Sequence, residues 1–181
     1  MLRNQMRNKD SLWYLRQMCQ EIKDHIFKLS DIPIIVEVGS YEGESSEVFA
    51  QEFPFAIIYC IDPWVNGYDD TDFTSNADMN LVEINFNERT KYYKNIIKIK
   101  DFSINVHINN ISMVYIDGNH QYDFVKQDIN HWQKYLLKNG ILSGHDYTNQ
   151  GHLKGVKKAV DEILVKVDKI YNDTSWMKIK Q

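Results

Sequence analysis

The sequence lacks the features that would direct it to a membrane, a secretory route or a nucleic acid. No apolar run approaches the ~20 residues that a membrane-spanning helix needs, and the polar first residues, MLRNQ, lack the apolar core of a signal peptide. The 21 lysines and arginines are outnumbered by 25 aspartates and glutamates, and the net charge of −4 gives no basic surface for nucleic acid. We therefore expect a soluble, cytoplasmic protein that binds neither a membrane nor a nucleic acid.

Cysteine is scarce as well. Cys19 and Cys60 are the two cysteines of the chain, and they lack the spacing of metal ligands. We expect both to be small buried apolar residues in a reducing compartment. The chain has 181 residues, 43% of them apolar, with no internal repeat. It suits one domain, 1–181, with a polar tail and a first helix in 1–30.

A buried strand, a glycine-containing turn and the start of a helix follow one another early in the chain. The strand, 34–38, is apolar and β-branched apart from one acid. Gly39 and Gly43 give the backbone freedom that a ligand-binding turn requires, and Ser45 or Ser46 can cap the helix that follows. The N-terminus of that helix directs N–H groups and partial positive charge at whatever lies over the turn.

The spacing of the turn indicates which ligand it suits. A dinucleotide site has the pattern G-x-G-x-x-G, and its second glycine would stand where this sequence has Tyr41, whose ring blocks the approach of a pyrophosphate. The pattern here is acid-x-G-x-x-x-G, with Glu37 two residues before Gly39. A carboxylate beside the turn suits a ligand that carries an ammonium or sulfonium charge. The alternative is a structural turn in an unrelated α/β protein.

This stretch resembles motif I of the class I S-adenosylmethionine-dependent methyltransferases. The resemblance implies that the acid, the turn and the start of the helix contact the cofactor, with Glu37 near its methionine part. The cofactor-binding residues expected in this stretch are Glu37, Gly39, Ser40, Tyr41, Gly43 and Ser45.

Strands and helices alternate along the rest of the chain. The expected strands are 34–38, 55–61, 96–99, 111–116 and 141–144, with two short tail strands at 169–171 and 176–179. The expected helices are 10–29, 45–53, 79–93, one that starts after Tyr122 and is closed by Asn139 and Gly140, and one that starts in 151–155. This alternation predicts an α/β domain with a Rossmann-like, doubly wound, mostly parallel sheet. Ligands of such sheets bind beyond the carboxyl ends of the strands.

Polar residues follow the second and third strands. Asp62 ends the second strand, where a carboxylate can accept both ribose hydroxyls of a nucleoside. Trp64 follows it and either lies on an adenine face or belongs to the core. Asp101, Phe102 and Ser103 end the third strand, near the expected position of the nucleoside base.

Acids and histidines follow the fourth and fifth strands. Asp117 and His120 come after the fourth strand, and His145 and Asp146 come after the fifth. Histidine suits proton removal because its ordinary pKa, near 6.5, leaves it mostly neutral at pH 7. His145 and His120 are therefore candidate bases, although either can instead cap a helix or bond a loop. Asp117 is expected to contact the cofactor and to take part in catalysis.

The loop 65–78 is polar and contains no lysine or arginine. Its length suggests a function, and it is either a mobile lid or a solvated excursion. Its acidity argues against an anionic polymer as the substrate.

Two further motifs make the resemblance more specific. They are Ile116-Asp117-Gly118-Asn119-His120-Gln121-Tyr122 with Val125, Asp128 and Trp132, and Gly140 with Gly144-His145-Asp146-Tyr147. These motifs look like methyltransferase domain family 24, a group similar to the macrocin-type O-methyltransferases. The resemblance implies S-adenosylmethionine as the cofactor, a small-molecule hydroxyl as the acceptor, and the sheet order 3-2-1-4-5-7-6 with strand seven antiparallel.

The chain departs from the family in two places. Asn139 stands where relatives often have a second glycine, and we expect the chain to lack any large N-terminal or lid domain. Because the acceptor pocket is then incomplete, we expect a homodimer in which the partner helps to close it.

The resemblance also implies a metal site. Asp117, His145 and Asp146 come from neighbouring strand ends and can converge on one cation, where related O-methyltransferases place Mg²⁺. Mg²⁺ prefers oxygen ligands, whereas His145 suits Mn²⁺, Fe²⁺ or Zn²⁺ better. In the competing arrangement there is no metal, His145 is the base, and Asp117 or Asp146 orients it.

Three other functions remain open on the sequence alone. The first is a dinucleotide-binding oxidoreductase, against which Tyr41 argues. The others are an S-adenosylmethionine-binding domain without catalysis and a structural α/β interaction domain. Polar residues at five separate strand ends disfavour both of these.

Overall fold

One seven-stranded sheet organises the chain. The computed structural model describes residues 9–181, so the polar tail expected before residue 9 lies outside the described residues. The strands are β1 (Ile34–Val38), β2 (Ile57–Asp62), β3 (Ile96–Lys100), β4 (Ile111–Ile116), β5 (Leu136–Gly144), β6 (Lys169–Ile170) and β7 (Trp176–Ile179). The helices are α1 (Lys9–Leu29), α2 (Glu44–Glu52), α3 (Met79–Thr90), α4 (Tyr122–Trp132) and α5 (Lys154–Leu164).

The strand order is β3-β2-β1-β4-β5-β7-β6. The first five strands are mutually parallel, and β7 runs antiparallel to both β5 and β6. The expected order and the antiparallel seventh strand are confirmed. This order places the carboxyl ends of β1 and β4 side by side at the centre of the sheet, where a doubly wound sheet binds its ligand.

Two apolar clusters cover the two faces of the sheet. Ile35 belongs to the cluster under α1, α2 and α3, and its neighbour Val36 belongs to the cluster under α4 and α5. Successive side chains of a strand point to opposite faces, which is why a strand covered on both sides is apolar throughout. Cys19 and Cys60 are free and buried, as expected, and burial raises the pKa of both thiols. In the described part of the chain, no helix is long and apolar enough to cross a membrane.

The predicted boundary between α4 and β5 was wrong. The helix ends at Trp132, and Leu136 already pairs with Ile111 as the first residue of β5. Asn139 takes the left-handed conformation (φ 63°) that the sequence suggested for Gly140. Gly140 lies inside the strand, where a Cβ would stand 2.9 Å from the Leu137 carbonyl oxygen. The prediction extended the helix too far because Leu136 is four residues after Trp132, which is a helical spacing. A single apolar residue near a helix end fits the period of a helix and that of a strand equally well.

Candidate active site

The turn after β1 needs glycine at Gly39 for two reasons. Its φ is +85°, and a Cβ there would stand only 2.2 Å from the carbonyl oxygen of Asp117. The backbone N–H of Gly39 donates to the Ile61 carbonyl oxygen at 2.8 Å. The turn is therefore pressed against the ends of both neighbouring strands, β2 and β4.

Glu37, on β1, stabilises this turn and the start of α2 by hydrogen bonds. Its side chain is fully buried, and its carboxylate accepts hydrogen bonds from the hydroxyls of Ser40 (2.7 Å), Ser45 and Ser46. The suggestion that Ser45 or Ser46 caps α2 is therefore wrong, since Gly43 is the N-cap and makes no side-chain cap bond. Both serine hydroxyls are engaged by the acid on β1, so they turn inward rather than to the helix end.

Asp62, the last residue of β2, bonds to the turn after β1 and to the segment that follows β2. Its Oδ2 accepts the backbone N–H of Tyr41 at 2.9 Å, and its Oδ1 accepts the backbone N–H of Trp64 at 2.7 Å. Burial raises the pKa of Asp62 to about 6, although both N–H bonds act in the opposite direction. Each oxygen keeps a further lone pair, so the carboxylate can still accept a bond from a ligand.

Trp64 lies in the core and not against the cavity. Its side chain is 3% exposed, its indole Nε1 donates to the Tyr41 carbonyl oxygen at 2.9 Å, and its ring packs on Phe86 with centroids 5.0 Å apart. Of the two alternatives that the sequence left for Trp64, the structure shows the core position. Val65 and Tyr68 line the cavity instead.

The end of β3 contributes Ser103. Its hydroxyl donates to Asp128 Oδ1 at 2.5 Å and accepts the indole N–H of Trp132 at 2.7 Å. Asp101 and Phe102 are exposed, and the Asp101 carboxylate accepts the Phe102 N–H at 2.7 Å. Of the three residues expected here, Ser103 is the one that lines the cavity.

Asp128 is a buried acid that sequence reasoning did not assign to the site. It lies on α4, is 2% exposed, and its Oδ2 has no hydrogen-bond partner among the described residues. Burial raises its pKa to about 7, against the lowering effect of the Ser103 bond. An acid one turn from the apolar Val125 and Trp132 on a predicted helix was the signal that could have identified it.

Asp146 joins the two candidate bases. Its Oδ2 lies 3.0 Å from His120 Nε2, and its Oδ1 lies 3.0 Å from His145 Nδ1. Asp117 Oδ1 is 3.8 Å from the same His145 nitrogen. His145 Nε2 is buried, has no hydrogen-bond partner among the described residues, and lies 3.8 Å from Asp173 Oδ2. Asp117, His120 and Asp146 also bring one ligand atom each within 4.8 Å of one another.

His120 is surrounded by acids. Its Nδ1 lies 2.9 Å from Asp69 Oδ2 and 3.4 Å from Asp72 Oδ2, opposite the bond to Asp146. Burial alone would lower the pKa of His120, but the bonds to Asp146 and Asp69 outweigh it and raise the pKa to about 10. The same contacts hold the pKa of Asp69 and of Asp146 well below the ordinary range, against the opposing effect of burial. These contacts favour the protonated form of His120.

A cavity of about 320 Å³ lies over these strand ends. The loop 65–78 and the turn after β1 form its walls. The expected site residues that line it are Gly39, Ser40, Tyr41, Ser45, Asp62, Ser103, Asp117, His120, His145 and Asp146. The expected residues outside its lining are Glu37, Gly43, Trp64, Asp101 and Phe102. Asp69, Asp72 and Tyr68 are lining residues that the sequence placed in the loop without a role.

Solved methyltransferase structures share this fold. The O-methyltransferase NovP matches 94% of this chain and 79% of its own, with a TM-score of 0.68 and 15% identity. The calicheamicin methyltransferase CalS11 matches 95% of this chain and 80% of its own, with a TM-score of 0.65 and 12% identity. An rRNA methylase from Streptococcus thermophilus matches 97% of this chain and 99% of its own, with a TM-score of 0.57 and 14% identity. At these identities the likeness is one of fold.

Sequence comparison identifies the family. An uncharacterized protein of Acanthamoeba polyphaga mimivirus is 29% identical over 141 residues, which are 73% of this chain and 59% of that protein. This chain thus spans about three fifths of the length of the curated relative that it matches. The family model described as a methyltransferase domain (family 24) matches residues 36–147, from β1 to just beyond β5. Because that match covers more than half of the chain and every strand end that forms the cavity, the chain belongs to this methyltransferase domain family.

Proposed function

We propose that this chain transfers a methyl group from S-adenosylmethionine to a hydroxyl of a small molecule. The observation that carries the proposal is one cavity that joins the turn after β1, Asp62, Ser103 and the acids after β4 and β5. Family membership supports S-adenosylmethionine as the donor. The O-methyltransferase NovP, with the same fold, supports oxygen as the accepting atom.

Asp62 is the proposed partner of the ribose hydroxyls. It lines the cavity, and a pKa of about 6 leaves it mostly ionised at pH 7. An ionised carboxylate accepts hydroxyl bonds more strongly than a neutral group does. Glu37 would act on the cofactor through the turn that it holds, because its carboxylate already accepts three serine hydroxyls.

The reaction would be an in-line displacement at the methyl carbon. The bond from sulfur to the methyl group breaks, the bond from the acceptor oxygen to that group forms, and the sulfonium becomes a neutral thioether. The hydroxyl proton must leave to a group in the site. Since the donor is already activated, the chain contributes mainly alignment and removal of this proton.

Asp117 and His145 are the proposed groups that receive the proton of the hydroxyl, because the contacts that hold the pKa of Asp146 well below its ordinary range make Asp146 a weak base. The contacts of His120 with Asp146 and Asp69 outweigh its burial and raise its pKa to about 10, which favours its protonated form. His145 Nδ1 lies 3.0 Å from Asp146 Oδ1, and its Nε2 is buried and lies 3.8 Å from Asp173 Oδ2. His120 has a carboxylate beside each ring nitrogen and so offers no lone pair to the hydroxyl, which leaves Asp117 and His145 as the candidate bases.

We also propose a divalent cation at these acids. His145 Nδ1 lies 3.0 Å from Asp146 Oδ1, which matches the separation of about 3 Å between neighbouring ligands of an octahedral ion with bonds near 2.1 Å, and 3.8 Å from Asp117 Oδ1, which is wider. Asp117 and Asp146 would hold the cation, and it would lower the pKa of a bound hydroxyl. The nearby nitrogen of His145 favours Mn²⁺ over Mg²⁺.

The charge of the cavity supports a small acceptor without phosphate groups. The acids that line it are Glu42, Glu44, Asp62, Asp69, Asp72, Asp117 and Asp146. No lysine or arginine is among its lining residues in the described chain. Such a field repels polyanions, so we propose a neutral or cationic hydroxyl compound over a nucleic acid, even though an rRNA methylase shares the fold. A homodimer partner that closes the acceptor side, and a cytoplasmic location, stay predictions.

Calorimetry with S-adenosylhomocysteine tests the proposal. Asp62→Ala removes a charged acceptor, and hydrogen bonds to charged groups are worth about 1.5–3 kcal/mol, so binding should weaken by roughly tenfold or more. NAD serves as the competing ligand, because a dinucleotide-binding oxidoreductase would bind it and the ring of Tyr41 should exclude it. Unchanged affinity in Asp62→Ala would remove Asp62 from the site, and tight NAD binding would refute the proposed function.

Tritiated S-adenosylmethionine with a panel of phenols and sugars then distinguishes an enzyme from a binding domain. Transfer of label to a hydroxyl compound is the expected result. A protein that binds the cofactor but labels neither the phenols nor the sugars would favour the alternative of an S-adenosylmethionine-binding domain without catalysis.

A further inference from the structure

The loop 65–78 is attached to the segment after β4 at three consecutive positions. At the first position, Asn119 Nδ2 donates to the carbonyl oxygen of Tyr68 at 2.6 Å. At the third position, Gln121 Nε2 donates to Asp70 Oδ1 at 2.8 Å. The loop is therefore held in register with that segment and not by one chance contact.

His120 makes the middle contact and reaches beyond the loop. Its backbone N–H donates to Asp69 Oδ2 at 2.8 Å, and its ring Nδ1 lies 2.9 Å from the same oxygen. On the opposite edge of the ring, Nε2 lies 3.0 Å from Asp146 Oδ2. With a carboxylate beside each nitrogen, both edges of the ring are occupied by protein contacts, so neither faces a metal ion or a substrate.

The two carboxylates that share this ring belong to different parts of the site. Asp69 lies on the loop 65–78, which forms one wall of the cavity together with Tyr68. Asp146 lies just after β5 and contacts His145 Nδ1 through its other oxygen at 3.0 Å. Because the loop contains several acids and no lysine or arginine, a cation that neutralises it must come from another segment.

We propose that His120 is a positioning residue that latches the loop 65–78 over the cavity and, with the same ring, holds Asp146 in place. The loop is then a lid, and its closure and the placement of Asp146 depend on one side chain. The proposal rests on the proposed function only in its consequence for cofactor release. The latch itself is a property of the protein without a ligand.

Hydrogen exchange of the ligand-free protein tests the latch. His120→Asn removes the ring that contacts both carboxylates, so the peptide that covers 65–78 should exchange at least about tenfold faster, equivalent to ~1.4 kcal/mol. The peptide that covers 145–150 should also exchange faster, because Asp146 loses a partner. Exchange within α1 should not change, and His107→Asn, an exposed histidine whose Nδ1 contacts the Tyr135 hydroxyl, is the matched control.

Two results would overturn the proposal. Unchanged exchange of 65–78 in His120→Asn would show that His120 does not hold the loop, and a change confined to 65–78 would show that it does not hold Asp146. If His120→Asn does not fold, Asp69→Ala replaces it, since it removes the same contact from the side of the loop. Where both variants fold, combining them should add little to either alone, and additive effects would contradict a shared contact.

Dissociation of S-adenosylhomocysteine separates this proposal from the proposed function. A released lid should let it dissociate about tenfold faster from His120→Asn than from His107→Asn, and equal rates would contradict a lid over the cofactor. Failure to bind the wild-type protein would instead refute the proposed function, and the exchange experiment would still decide the latch.

Discussion

Replacing Asp128 with asparagine should make the protein more stable in alkaline solution. Asp128 is 2% exposed, and its Oδ2 has no hydrogen-bond partner among the described residues. Asp128→Asn keeps the shape of the side chain and an oxygen that can accept the Ser103 hydroxyl, which is 2.5 Å away. The substitution therefore removes the buried charge and little else.

The magnitude follows from the pKa of Asp128. Burial raises this pKa from an ordinary value of 3.8 to about 7, so the folded protein keeps the proton over a range in which the unfolded chain has lost it. The free energy of unfolding then falls as pH rises from about 4 to 7 and levels off above that range. Each pKa unit is worth about 1.4 kcal/mol, so the total loss is on the order of 4 kcal/mol. The asparagine variant has no such loss.

Urea unfolding at pH 4.5 and pH 8.5, followed by tryptophan fluorescence, measures this difference. The stability of Asp128→Asn relative to the wild type should rise by about 3 kcal/mol between the two pH values. Asp123→Asn, on the exposed side of the same helix, is the control and should change by less than about 1 kcal/mol. The same relative stability of Asp128→Asn at both pH values would refute the argument that burial governs this acid.

Three other perturbations test the remaining parts of the site. Gly39→Ala should destabilise the protein by several kcal/mol in thermal unfolding, because its Cβ would stand 2.2 Å from the Asp117 carbonyl oxygen. Gly67→Ala is the control and should cost only about 1 kcal/mol, because Gly67 has a similar φ of +73° but open space around it. Glu37→Gln should cost roughly 2–3 kcal/mol in the same assay, because charged acceptors bind hydroxyls more strongly than amides do, whereas Glu88→Gln on the surface should be nearly neutral. Methyl transfer, once an acceptor is known, should fall after exhaustive chelation and return with Mn²⁺, and full activity in chelator would eliminate the cation.

The sequence by itself determined the elements and the edge of the sheet at which the site lies. The apolar segments at 34–38 and 111–116 are both strands in the structure, because a strand covered on both faces must be apolar throughout. The glycine pattern identified the turn, and Gly39 does adopt a positive φ. These are local properties, since a few consecutive residues decide them. Placing polar residues after the strands also worked, because parallel strands bring their carboxyl ends to one edge.

Only the tertiary structure decided what each polar group does there. Glu37 precedes the turn after β1 and Trp64 follows β2 in the sequence, but packing directs the first to three serine hydroxyls and the second into the core. His120 and His145 were both candidate bases on the sequence, and only the fold brought the acids Asp69 and Asp72 of the loop 65–78 against the first. Burial, hydrogen bonds and pKa values depend on neighbours that are distant in the chain. Local periodicity carries no information about which of those neighbours a side chain meets.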